Sequence, residues 1–116
     1  MAYDEGLAAR IEAVLYGQRG IETKKMFGGL CFLLNGNMLC GIAGGDDLML
    51  RVGPEQYGQV LAMEGAREMD FTGRAMKGMI YVDTAFAEEE APLAAWIELA
   101  LNFVKPLPAK KPKPRK

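Results

Sequence analysis

Apolar residues recur at helical spacing near both ends of the chain and in strand-length runs between them. Leu7, Ala8, Ile11, Val14 and Leu15 share one face of a helix predicted from Asp4 to about Tyr16. Asp4 suits its N-cap, and Gly17 or Gly20 suits its stop. Near the other end, Leu93, Trp96, Ile97, Ala100, Leu101 and Val104 form an apolar stripe at i, i+3, i+4, i+7, i+8 and i+11. Glu88, Glu89 and Glu90 favour the positive end of that helix's dipole. Pro92 is tolerated only in a first turn, so the helix starts between Glu88 and Ala91, and Pro106 ends it.

Gly20 to Lys25 reads as a polar connection, and Met26 to Ala43 as a hairpin. Asn35-Gly36 is the dipeptide of a type I′ turn, where both central residues take positive φ. A two-residue loop pairs Leu34 with Asn37, Leu33 with Met38, Phe32 with Leu39 and Cys31 with Cys40. The cysteines facing each other read either as a cross-strand disulfide or redox switch, or as two small buried hydrophobes in a reducing cytosol. Phe27, Cys31, Leu33, Met38, Cys40 and Ile42 would fill one face, and Met26, Leu30, Phe32, Leu34 and Leu39 the other. Both faces read as buried. Either a subunit partner covers the second, or helices from opposite ends of the chain cover one each.

Gly44 to Asp47 is a second turn, and Leu48 to Val52 a third strand with Leu48, Leu50 and Val52 facing one way. Gly53-Pro54 opens a short helix with Tyr57, Val60 and Leu61 on its apolar side and Gly65 past its end. Met69–Thr72 and Met79–Asp83 read as two further strands, joined by a loop from Gly73 to Gly78.

The chain has 116 residues, half of them hydrophobic and a quarter charged, which suits one globular domain. The net charge of −1 hides a division. Fifteen acids and eight bases before Lys105 leave that part at −7, while Lys105 to Lys116 holds six bases and no acid. We therefore read residues 1–104 as the folded domain and 105–116 as a disordered Pro/Lys-rich tail, kept extended by its prolines. No apolar run approaches the roughly 18 residues of a membrane span, and the opening Met1-Ala-Tyr-Asp-Glu has neither the basic nor the apolar region expected of a secretory signal. The expected setting is the cytoplasm, away from membranes.

Histidine and serine are absent, which removes the commonest general base, metal ligand and hydroxyl nucleophile. Cys31 and Cys40 lack the spacing of a zinc or redox motif. Gly28-Gly29 and Gly44-Gly45 lack phosphate-loop spacing and read as backbone devices. No catalytic residue, metal site or cofactor is expected, so the chain reads as a non-enzyme. The candidate contacts for nucleic acid or another anion are Lys24, Lys25, Arg51, Arg74 and Lys77, with Lys110, Lys111, Lys113, Arg115 and Lys116 of the tail.

Met26-Phe27-Gly28-Gly29 after an amphipathic helix, Asn35-Gly36-Asn37-Met38, and Leu48-Met-Leu-Arg-Val52 resemble the N-terminal domain of the TfoX/Sxy competence-regulator family. Phe71, Gly73-Arg74, Met79-Ile-Tyr81 and the late helix with Trp96 continue the resemblance in order, over about residues 5–104. It implies an α+β fold like the secretion chaperones, an antiparallel sheet of about five strands with helices packed on it. Phe27, Phe71, Tyr81 and Trp96 would then be core, and the glycines backbone devices. Regulators of this family promote competence-gene transcription alongside the cyclic-AMP receptor protein, and the resemblance carries no catalytic residues. A basic tail stands here where the full-length regulators have a helical C-terminal domain. The expected function is a non-enzymatic module acting through a transcription-related protein partner, with homodimerisation as a further expectation. The alternative is a non-specific nucleic-acid binder that uses its tail.

Overall fold

In a computed structural model, residues 5–26, 29–42, 47–71 and 74–108 are described. The elements in chain order are α1 (Glu5–Val14), β1 (Ile21–Met26), β2 (Gly29–Leu34), β3 (Asn37–Ile42), β4 (Leu48–Arg51), α2 (Gly53–Leu61), β5 (Ala66–Phe71), β6 (Arg74–Val82) and α3 (Glu90–Val104), with a 3-10 turn at Thr84–Phe86. The fold is α+β. The strands form one antiparallel sheet in the order β1-β2-β3-β4-β6-β5. The first four make a meander. α2 then carries the chain past the neighbouring position, so β5 takes the far edge and β6 returns beside β4.

Six strands form rather than five, because Ile21 to Met26 is a strand and not a polar connection. Its residues pair with β2 from Ile21↔Leu34 to Met26↔Gly29. The stretch expected as a loop before Gly78 is also strand from Arg74 onward, so β5 and β6 form a longer hairpin than the sequence predicts. Asp4 and Ala43 lie outside the described residues.

The β2–β3 turn has the expected form, with positive φ at Asn35 (53°) and Gly36 (84°). Leu34↔Asn37 and Leu33↔Met38 pair as expected. A bulge then inserts Leu39, so Phe32 meets Cys40 and Cys31 meets Gly41. The expected Cys31–Cys40 pairing is therefore wrong by one residue. The bulge also moves Cys40 and Ile42 to the face of Phe32 and Leu34, which gives the sheet a consistent inside.

That inside holds the main core. Leu7, Ile11, Leu93, Trp96, Ile97, Ala100 and Val60 bring all three helices onto Phe32, Leu34, Ile42, Leu48, Leu50, Val52, Ile80 and Val82. Each Val, Leu, Ile or Phe among them contributes about 1.5–3 kcal/mol on burial. Trp96 is anchored by its indole N–H, which donates to the Phe86 carbonyl oxygen at 3.1 Å. The helices do not divide between the faces. On the other side, Cys31, Met49 and Met79 form a small cluster drawn from strands alone, with Met38 and a half-buried Tyr81 at its margin. Tyr81 thus borders this cluster instead of entering the main core. Among the described residues no helix is long and apolar enough to cross a membrane.

Candidate functional site

β1 ends the sheet, and among the described residues no strand lies on its outer side. Its pairing with β2 runs without a bulge. Met26 and Gly29 flank a two-residue connection, which makes them a hydrogen-bonded pair. Alternation then turns the N–H and C=O of Glu22 and Lys24 toward β2, and those of Ile21, Thr23 and Lys25 outward. Side chains alternate as well. Ile21, Thr23 and Lys25 stand on the helix side, opposite Leu34, Phe32 and Leu30, while Glu22 and Lys24 stand on the other side opposite Leu33 and Cys31. Ile21 is half-buried, and Glu22, Thr23, Lys24 and Lys25 are exposed. The edge is further fixed at its start, where the Asn35 N–H donates to the Gly20 carbonyl oxygen at 2.9 Å.

The other candidate bases gather at the opposite end of the sheet from Lys24 and Lys25. Arg51 closes β4, half-buried, with its guanidinium 5.3 Å from the centroid of the Phe103 ring. One of its nitrogens donates to the Met38 carbonyl oxygen at 3.5 Å, a long bond. Arg51 pairs with Met79, so the first residues of β6, with Lys77 and Arg74, run on past the end of β4. Between Ile80 and Ala75 the ladder is irregular, five steps along β6 answering two along β5, and Arg74 comes to lie opposite Phe71. Asn37, beside the β2–β3 turn, donates from its amide to the Pro108 carbonyl oxygen at 2.9 Å. The chain therefore leaves α3 at this same end. Lys110, Lys111, Lys113, Arg115 and Lys116 lie outside the described residues, as do Phe27 and Gly28, and the side chains of Met26, Phe71, Arg74 and Lys77.

Arg67 is a charged centre that no motif in the sequence marks. Its guanidinium reaches Asp47 at 3.0 Å and Asp83 at 2.8 Å, and lies 5.3 Å from the Tyr81 ring centroid. These contacts hold the start of β4 and the end of β6 to the outer strand, and hydrogen bonding to Asp47 raises the Arg67 pKa further. The only available signal is the charge complementarity of residues that lie 20 and 16 positions from Arg67. A cleft of about 360 Å³ opens between α2 and α3, lined by Val52, Pro54, Glu55, Asn102, Phe103 and Leu107. The amide of Gln56 at its wall is occupied, donating to the carbonyl oxygens of Val52 and Leu99 at 2.9 Å each.

Burial holds the two thiols inside the sheet neutral. Burial pushes the Cys31 thiol up to about 11, and burial together with Cys31 raises Cys40 beyond that. Neither thiol offers a thiolate at neutral pH. On α2, burial and then the nearby Glu68 carboxylate raise the pKa of the Tyr57 hydroxyl.

A family model described as the TfoX N-terminal domain matches residues 13–104. Comparison with curated proteins finds no match, and comparison with solved structures finds none either.

Proposed function

The chain belongs to the TfoX N-terminal domain family, and from that premise we propose that it is a non-enzymatic module that docks a protein partner of the transcription machinery through the edge strand β1. The observation that carries this reading is the edge itself. Six residues of regular strand lie at the margin of the sheet, with the outward main-chain groups of Ile21, Thr23 and Lys25 placed to receive another strand. Main-chain pairing of this kind supplies affinity without a pocket.

Thr23→Pro tests it. The Thr23 N–H points away from β2, so proline removes no internal ladder bond and blocks an added strand. Purified RNA polymerase and cyclic-AMP receptor protein are passed over the immobilised full chain and over the variant. Binding to the wild type that weakens at least tenfold in Thr23→Pro supports the reading. Binding that ignores the substitution, or no binding to either protein, defeats it.

A second reading is favoured by the gathering of Arg51, the Lys77 and Arg74 positions and the departure point of the basic tail at one end of the sheet. There the tail would track a phosphate backbone while the acidic body stays clear, and Lys24 and Lys25 would lie outside the footprint. With five or six phosphates neutralised, log K against log salt should fall with a slope of about −5 on duplex DNA. A chain ending at Pro108 should lose that binding. Equal binding by both chains would refute the reading.

A further inference from the structure

The pattern of charge along β1 selects an occupant for its edge. We infer that the strand added there is β1 of a second copy of this chain, antiparallel and centred on Thr23, so that one sheet runs through both subunits. This rests on the edge being a docking strand, as proposed above, and the second copy and the transcription partner then compete for it, so the partner binds the dissociated chain.

Geometry limits the registers. In a two-fold antiparallel pair, residues whose main-chain groups point outward must lie opposite one another. On β1 those are Ile21, Thr23 and Lys25, so the symmetry axis passes through a residue and never between two. Centring on Glu22 sets the two Glu22 carboxylates opposite each other in a close, non-hydrogen-bonded pair. Centring on Lys24 does the same with two ammonium groups. Like charges directly opposite are unfavourable.

Centring on Thr23 removes both conflicts. Thr23 meets Thr23 of the partner subunit in a hydrogen-bonded pair on the helix side. Glu22 lies opposite Lys24 of the partner subunit, and by symmetry this unlike pair forms twice, on the face that carries Cys31 and Met49. Ile21 lies opposite Lys25 of the partner subunit, whose aliphatic stem can cover the half-buried isoleucine. All four polar side chains are exposed in the single chain, so the pairing requires none to be pulled from the core. Lysines on an edge strand ordinarily discourage pairing with arbitrary strands. Here they are answered by the glutamate two positions away, so a second copy meets no like-charge conflict at this edge.

The test is sedimentation velocity on the full chain from about 10 µM to about 1 mM, the range suited to a small interface. Glu22→Lys and Lys24→Glu should each weaken the dimer roughly tenfold by setting like charges opposite. The double variant Glu22→Lys/Lys24→Glu should return to within about threefold of wild type, because the unlike pairs re-form with reversed sign. Thr23→Cys should trap a disulfide-linked dimer under mild oxidation, since the paired Cα atoms would lie about 5.5 Å apart. Circular dichroism confirms that each variant keeps the fold.

A chain that stays monomeric across this range overturns the inference, as does a dimer indifferent to the charge substitutions. In either case, loss of transcription-protein binding in Thr23→Pro would still uphold the docking edge. A dimer with the expected charge pattern and no binding to those proteins would uphold the inference and remove the transcription partner alone.

Discussion

Cys31 lies opposite Gly41 across the β2–β3 ladder, and the missing side chain at 41 is what lets the strands close. A Cβ there would sit 2.5 Å from the Leu30 carbonyl oxygen, 3.0 Å from the Cys31 Cα and 3.1 Å from the Met49 Cε. Two of those three atoms are backbone and cannot swing aside. Gly41→Ala is therefore expected to destabilise the protein by about 1–3 kcal/mol, the usual range for overpacking. The midpoint of urea unfolding measures this, and an unchanged midpoint would mean that the ladder shifts to make room.

The same bulge that sets Cys31 against Gly41 sends the two thiols to opposite faces, so they should remain unlinked under air oxidation and react with a thiol reagent only after unfolding. Their titration gives a second readout. Both thiols have folded pKa values above the ordinary 9.0. Their contribution to stability is complete below pH 9 and is lost as pH rises, because the unfolded chain then releases protons that the folded one retains. For Cys31 the loss runs from about pH 9 to about 11, at up to about 1.4 kcal/mol per pH unit, and for Cys40 it continues further. Cys31→Ala should be less stable at neutral pH and should fall less steeply between pH 9 and 10. Parallel slopes for variant and wild type would contradict the buried-thiol account.

Arg67 serves two carboxylates from one guanidinium, its Nε on Asp83 and its Nη2 on Asp47. The group is nearly half-exposed, so water and salt weaken each pair. Arg67→Ala should cost about 0.5–1 kcal/mol at low salt and less in 1 M salt. Arg67→Lys should recover only part of this, because one ammonium cannot present two nitrogens in a fixed fork. Full rescue by lysine would reduce the site to simple charge balance.

The helices and the Asn35-Gly36 turn were legible in the sequence because each carries a local signal: a stripe at helical spacing, or residues that accept positive φ. β1 was not. An edge strand with four exposed polar residues buries too little to show alternation, and only Ile21 marks it. The bulge was equally hidden, since Leu39, Cys40 and Ile42 are all apolar and either register reads as plausible until Phe32 is seen facing the helices. Of the candidate bases, Arg51 could be named from sequence, but its place over Phe103 depends on α3 returning across the end of β4. The Arg67 contacts join residues 16 and 20 positions away, across a strand order that the sequence does not disclose.

Val104 closes α3, yet the contacts of the folded body run beyond it. Leu107 is half-buried and packs against the main core, its N–H donates to the Val104 carbonyl oxygen at 3.0 Å, and the Pro108 carbonyl oxygen accepts from Asn37. A chain ending at Val104 gives up this partial burial and the exposed tether to the β2–β3 turn, a loss of about 1–2 kcal/mol together. A chain ending at Pro108 gives up neither and should unfold at the same urea concentration as the full chain. The comparison bears on any study of the tail, because a weakened body and a missing basic segment would otherwise be confused in the same deletion. If truncation at Val104 leaves the midpoint unchanged, the Leu107 contact contributes nothing to stability and either end point serves.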